Sequence, residues 1–519
     1  MSTDAHPEAG LDPVRDARPI RTGERIHVVG AAGAGASAAA LHAAWAGATV
    51  DGCDPGGPSP YTPAVEASGV TLAWAHDPSH VRRTPPPERL AVTKALTAIA
   101  PDHPELAAAR EARIPIEPWQ QVVADAAVGR TLIGVAGTHG KSTTAGWLVH
   151  VLASAGLDPA AFVGALLPAE LTGGLPATAR RGGGAAFVVE ADEYAGNFDA
   201  YRPAIAVVTS VDWDHPDVFA DREAVIRAFD RWLRRADRGD QPPIAVINVA
   251  DEGGAALARG LADWQGTIIA TAVVRDDAAR LRARRTFPEA FRTATGPAGA
   301  LIGRIVDESP DGTTVMLDGL GPFDAARPVR LPTAGRHNVA NALGVVGALS
   351  WFEIRGDDAA RGLASFPGVG RRLERKGEVD GVVVFDDYGH HPTAIRETLA
   401  AVRQRAPGRR VWAVYEPLTY HRTAAFLDDF AEVLAAADAV AIADIWAGRD
   451  PDTTIASAAG LAEAVARRNP KIPVAAPGPV EATAAWLARE VRPGDAVLVM
   501  GGGKSYRIGE LLLEALADR

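Results

Sequence analysis

The chain has 519 residues, enough at about 150 per domain for roughly three domains with separate cores, which excludes a single-core miniprotein. With 53 basic and 64 acidic side chains the net charge is −11, so no general basic surface exists for nucleic acid or an anionic membrane, and any phosphate site must be local. Cys53 is the only cysteine, which excludes an intramolecular disulfide and a cysteine-based zinc site and fits a reducing interior.

Residues 1–23 lack apolar periodicity and carry Pro7, Pro13 and Pro19, so they read as a flexible tail without a secretory signal. No run of about 18 apolar residues follows, and a soluble, cytoplasmic protein is expected. Order begins with a β-type run at residues 25–29, which meets Gly30-Ala31-Ala32-Gly33-Ala34-Gly35 and an Ala-rich helix through Trp45. A second strand starts at Ala48 and ends near Asp54. This opens a βαβ unit of nucleotide-binding type, in which helix amides face a pyrophosphate and an acidic residue about 20 positions on reaches a ribose. Such a glycine turn also serves close packing alone, and the pattern by itself leaves both readings open.

A second α/β unit runs from a strand at residues 131–136 through Gly137-Thr138-His139-Gly140-Lys141-Ser142-Thr143 into a helix at 143–152. A loop of this kind turns backbone N–H groups toward phosphate oxygens, Lys141 neutralises the terminal phosphates, and the Ser142 hydroxyl ligates Mg²⁺. Val135 occupies the first glycine position of the common spacing, but the strand before and the helix after favour ATP binding over a plain turn. Buried parallel strands are expected at residues 186–189, 204–209 and 244–248, because these are continuous apolar runs. Glu190-Ala191-Asp192-Glu193 and Asp212-Trp213-Asp214-His215 end two of them. Carboxylates there lie in the ligand crevice and are placed to hold Mg²⁺, although some also suit helix caps. Residues 271–318, with Pro310-Asp311-Gly312, read as a small antiparallel excursion.

A third unit starts near Arg371, with a strand at 381–385, a helix at 392–405 and strands at 410–414, 439–443 and 496–500. Asp386-Asp387 with His390-His391 imitates a transition-metal site, but four adjacent ligands in one short turn rarely all face inward. Gly501-Gly502-Gly503-Lys504-Ser505 imitates a phosphate loop and reads as a turn near substrate.

Six ordered motifs carry a resemblance: residues 137–144, Glu190 to Glu193, Asp214-His215, Gly335-Arg336-His337-Asn338-Val339-Ala340-Asn341-Ala342, Arg371-Arg372, and Asp386 to Pro392. In this order they resemble the Mur ligases, over essentially everything after the tail. The resemblance implies an α/β protein of three domains: a Rossmann-like UDP-sugar-binding domain at 24–126, a P-loop-type ATP-binding domain with a parallel sheet at 127–370, and a Rossmann-like amino-acid-binding domain at 371–519. It implies an ATP- and Mg²⁺-dependent amide ligase that adds L-alanine to UDP-N-acetylmuramate through an acyl phosphate, for peptidoglycan precursors, acting as a monomer or weak dimer.

By the same resemblance, Gly137 to Thr143 would bind ATP, with Lys141, Glu190 and His215 catalytic and Ser142, Glu190 and His215 as metal ligands. His337, Asn338 and Asn341 would lie by the adenine, and Arg372 and Asp387 would clamp the nucleotide. Tyr388, His390 and Arg422 would line the amino-acid pocket, while Gly30, Gly33, Gly35 and Asp54 would hold the UDP group. The sequence departs from the family pattern at Glu416, Leu418 and Thr419, where Gln, His and often Arg are usual, and at Thr93-Lys94-Ala95, where Lys94 is a candidate for a lost phosphate contact. These departures keep two enzymatic alternatives open, a tripeptide-recycling ligase and a ligase for another amino acid. A non-catalytic nucleotide-binding regulator is the reading from a different class.

Overall fold

Three sets of mostly parallel strands, each backed by helices, build this computed structural model, which describes residues 11–519 except 101, 238, 240, 449 and 451 and the side chains of 95, 98 and 99. The first sheet is parallel throughout, in the order Thr71–Ala73, Thr49–Cys53, Arg25–Val29, Arg89–Val92, Ile116–Pro118. Strand order reverses at Arg25–Val29, so the crevice beyond its carboxyl end opens at the glycine turn. Gly35 starts the helix side of that turn against Trp119, and a Cβ there would sit 2.1 Å from the indole ring. Only glycine allows this contact.

The middle sheet has ten strands. From Ala160–Leu167 it passes through Ala186–Ala191, Thr131–Ala136, Ile205–Val208, Ile244–Asn248 and Thr267–Val274 to Gly299–Ser309, all parallel. Helices cover both faces, which is why these strands are apolar at nearly every position. The expected antiparallel excursion over 271–318 is displaced. Thr267–Val274 is a buried parallel strand, Asp277–Ala290 is a helix, and the antiparallel ladder joins Gly299–Ser309, Gly312–Asp318 and Arg327–Leu331.

The third sheet runs in the order Glu374–Val379, Val382–Asp387, Asp495–Gly501, Arg410–Glu416, Ala439–Ala443, Val474–Gly478, with only the first strand antiparallel. The helix Pro392–Arg405 begins with proline in its first turn and with the His391 ring accepting from Thr393 N–H at 3.3 Å. Among the described residues no helix is long and apolar enough to cross a membrane.

The expected flexible tail needs correction over its described part, residues 11–23; residues 1–10 lie outside the described residues. Asp12 exchanges hydrogen bonds with Ile116, its N–H donating at 2.7 Å and its carboxylate accepting at 2.8 Å. Arg15 forks onto Glu117 and Asp125, each at 2.7 Å, and Arg18 pairs with Glu24 at 2.6 Å. The same three carboxylates surround buried Arg89. Charge pairing fastens the segment together with Leu11, Val14 and Ile20, which are half-buried against the core but too irregularly spaced to show a period.

Candidate active site

One cleft of about 2320 Å³ reaches all three sheets, and every site residue expected from the sequence except Gly137 lines it. The phosphate loop leaves the strand Thr131–Ala136 at the centre of the middle sheet and enters the helix Lys141–Ser154. Gly140 has φ of 81°, and a Cβ there would fall 2.4 Å from Asn341 Oδ1, so glycine lets the helix Arg336–Leu349 close on the loop. Lys141 Nζ donates to Gly137 O at 2.7 Å and to Glu193 Oε2 at 3.0 Å, with Asp192 Oδ1 at 3.6 Å. Burial opposes the Lys141 charge, but Glu193, Asp192 and Glu190 outweigh it and hold the ammonium above its ordinary range. Burial pushes Glu193 up to about 7 even beside Lys141.

Ser142 Oγ donates to Glu190 Oε1 at 3.0 Å, and Gly164 N–H fixes the other carboxylate oxygen at 2.6 Å. Two hard oxygen donors therefore converge beside the loop, a set that suits Mg²⁺. His215 lies elsewhere: its ligating nitrogen falls within 4.8 Å of carboxylate oxygens of Asp192 and Glu193. Burial holds the His215 ring below its ordinary pKa, in the neutral form that can ligate.

Arg422 is buried and commits its guanidinium to Asp214, with Nε at 3.0 Å and Nη2 at 2.7 Å from the same oxygen, while Nη2 lies 3.3 Å from His215 Nδ1. The expected acceptor-binding arginine thus spans the third and middle domains. Thr419, where arginine is often found, caps the helix that carries Arg422 by accepting from its N–H at 3.5 Å.

From the third domain Arg372 Nη2 donates to Ser142 Oγ at 2.8 Å. The Tyr388 ring lies 5.0 Å from the guanidinium carbons of both Arg371 and Arg372, and so holds the arginine pair. Asp387 accepts from Leu373 N–H at 2.8 Å and Gly389 N–H at 2.7 Å, bracing the backbone that presents Arg372 and Tyr388. His390 Nδ1 faces Tyr388 O at 2.9 Å, and burial keeps its ring neutral. Asp386 pairs with Arg371, so the four side chains do not form a metal cluster. His391 instead approaches His139 and Asp212, a grouping that sequence reasoning missed because its members come from three distant segments.

At the start of the helix Arg336–Leu349, Asn338 Nδ2 donates to Ala334 O at 2.8 Å, Asn341 Nδ2 donates to Asn338 Oδ1 at 3.1 Å, and His337 Nδ1 lies 3.4 Å from Glu397. In the first domain Asp54 accepts from Ala32 N–H at 3.1 Å and Gly56 N–H at 2.8 Å, so it braces the turn of Gly30, Gly33 and Gly35. Lys94 Nζ donates to Ala195 O at 2.6 Å, joining the first domain to the segment after Glu193.

Three family models match the chain in succession. Residues 25–131 match the description "Mur ligase family, catalytic domain", 135–349 "Mur ligase middle domain", and 371–503 "Mur ligase, glutamate ligase domain". A UDP-N-acetylmuramate--L-alanine ligase of Kineococcus radiotolerans is 36% identical over 500 residues, 95% of this chain and 97% of that protein. One of Roseiflexus castenholzii is 35% identical over 496 residues, 95% and 97% of the two chains. Among solved structures, the UDP-N-acetylmuramate-alanine ligase MurC of Thermotoga maritima superposes with a TM-score of 0.72 at 21% identity, covering 95% of this chain and 99% of that one. A murein peptide ligase of Psychrobacter arcticus gives 0.68 at 23%, covering 96% and 99%. With three consecutive domain matches and full-length relatives above 30% identity, the chain belongs to the Mur ligase family and is a ligase of that family.

Proposed function

We propose that this ligase joins L-alanine to the carboxylate of UDP-N-acetylmuramate with ATP and Mg²⁺, in the cytoplasm, for peptidoglycan precursor synthesis. The observation that carries the reading is the convergence of Lys141, Ser142, Glu190 and Arg372 in a cleft that the glycine turn of Gly30 to Gly35 also lines. Full-length relatives bearing the name of this activity support it.

A carboxylate is a poor electrophile, so its oxygen first attacks the γ-phosphorus of ATP, the bond to ADP breaks, and an acyl phosphate forms. The amine then attacks the carbonyl carbon and inorganic phosphate leaves. Two anions meet in the first step, and Lys141 and Arg372 carry the positive charge that offsets their repulsion. Ser142 and Glu190 would hold Mg²⁺, with Asp192, Glu193 and His215 as a second donor set; the bound metal supplies further charge neutralisation at the phosphates. His337, Asn338 and Asn341 form the adenine side, and Asp387 and Tyr388 position Arg372. His390 lines the acceptor pocket, and Arg422 orients Asp214 and His215 at its edge. The interdomain contacts of Arg372 and Arg422 exclude water from an acyl phosphate that water would destroy.

The test is phosphate release by purified protein with ATP, Mg²⁺, UDP-N-acetylmuramate and a panel of amines at equal concentration. L-Alanine should give the highest kcat/KM. A higher value for L-alanyl-γ-D-glutamyl tripeptides would assign the protein to the recycling reaction instead, and release independent of any amine would remove the ligase assignment.

A further inference from the structure

The expectation that one cysteine excludes any cysteine-based zinc site considered sulfur ligands alone, whereas Cys53 sits in a mixed donor set of the first sheet. It ends the strand Thr49–Cys53 and is fully buried. Its Sγ lies 3.4 Å from His27 Nε2 and 3.1 Å from Glu105 Oε2, and His80 Nδ1 lies 2.6 Å from Glu105 Oε1. Ligand atoms of His27, Cys53, His80 and Glu105 all fall within 4.8 Å of one another. An ion with bonds of about 2.0–2.3 Å sets tetrahedral donors roughly 3.3–3.7 Å apart, so small side-chain shifts suffice to close the set.

A second observation concerns orientation. His27 Nδ1 lies 3.1 Å from Asp51 Oδ2, and Arg83 fixes that carboxylate with two contacts, at 2.7 and 2.6 Å. A carboxylate on the far nitrogen holds the ring in the tautomer that directs the Nε2 lone pair at the cluster, as around metal-bound histidines. Cys53 donates its S–H to Glu105, and burial beside that carboxylate keeps the thiol neutral without an ion; a divalent ion that displaces the proton gains a thiolate and a carboxylate, and sulfur with imidazole favours a zinc-class ion over Mg²⁺. His76, 3.2 Å from Cys53 Sγ through Nδ1, lines the cleft and gives an entry path.

We propose that His27, Cys53, His80 and Glu105 bind a tetrahedral transition-metal ion of the zinc class. The site ties together two strands and the helices Ser79–Arg82 and Pro104–Glu111. Its effect reaches the glycine turn, because Cys53 O accepts from Gly30 N–H at 2.9 Å and Ala31 N–H at 3.1 Å. The ion therefore stiffens the backbone that faces the UDP group.

Cobalt titration of the full chain tests this without reference to turnover. Cys53 is the only thiol, so a sulfur-to-cobalt charge-transfer band has no other source. The expected result is a band saturating at one Co²⁺ per chain, displaced by Zn²⁺ and absent in Cys53→Ser. His80→Gln, at a partly exposed position, should weaken Co²⁺ affinity about 100-fold or more, and Asp51→Asn about 10- to 100-fold. No band at saturating Co²⁺, or an affinity unchanged in both His80→Gln and Asp51→Asn, overturns the proposal. These two variants keep the test decisive if Cys53→Ser does not fold.

Discussion

Arg372 and Ser142, 230 positions apart in the chain, meet through a 2.8 Å hydrogen bond that fastens the third domain onto the phosphate loop. The guanidinium is aimed at the hydroxyl that faces Glu190, so it completes the cationic side of the site only when the domains are together. Arg372→Ala should lower kcat about 10²- to 10³-fold, as for loss of one preorganised donor, with a smaller change in KM for ATP. Steady-state phosphate release checks this, and a kcat within threefold of the parent would refute the closing role.

Lys141 is the cation nearest Glu193 and Asp192. Lys141→Ala should abolish turnover, by about 10³-fold or more, because the phosphates lose their fixed charge and Glu193 loses its partner. Turnover and ATP affinity measured together check it. An unaltered rate would remove the phosphate-loop assignment.

The buried pair of Arg422 and Asp214 makes a prediction about coupling. Removing either partner should cost about 3–5 kcal/mol of stability, since the other charge stays buried. The double variant Arg422→Met with Asp214→Asn should cost less than the sum, which denaturant unfolding of the four proteins measures. Additive losses would show that the two side chains do not depend on each other. Because Arg422 also touches His215, Arg422→Ala should lower kcat as well as raise KM for the amino acid.

Acid stability should reflect Glu24. Burial opposes its charge, but Arg18, the Arg21 N–H and Arg89 outweigh burial and hold the carboxyl down at about 2, against 4.5 ordinarily. A depressed pKa contributes stability above 4.5 that is lost as pH falls toward 2. The full shift corresponds to roughly 3 kcal/mol, and solvent screening around exposed Arg18 reduces this to roughly 1–2 kcal/mol. Glu24→Gln should therefore lower Tm at pH 7 and converge with the parent as pH falls from 4.5 to 2. A constant difference across that range would contradict the pairing.

Local signals were legible in the sequence and long-range ones were not. The phosphate loop could be read because its strand, glycines and helix are contiguous, and Pro392–Arg405 because proline opens it and the sheet strand before it is apolar. The helix Asp277–Ala290 was hidden by Arg280, Arg282, Arg284 and Arg285, which interrupt any apolar face, and only Ala283 is buried on it. Ala160–Leu167 and Ala177–Arg180 give no clear strand signal because small residues mask their strand character. Site residues were found wherever a motif carried them. Their partners were not: Asp214 meets Arg422 across 208 positions, and nothing local in either segment announces the other.

The segment from Asp12 to Glu24 has a consequence for anyone who shortens the chain. Cutting it at residue 25 would remove Arg15, Arg18 and Glu24 together and leave Arg89, among the described residues, to face Glu117 and Asp125 without them. One uncompensated negative charge would then remain beneath the first sheet, and the edge strand Ile116–Pro118 would lose the partner that covers it. Affinity tags and protease sites therefore belong ahead of residue 11, and a trimmed version should be suspected first when this domain precipitates.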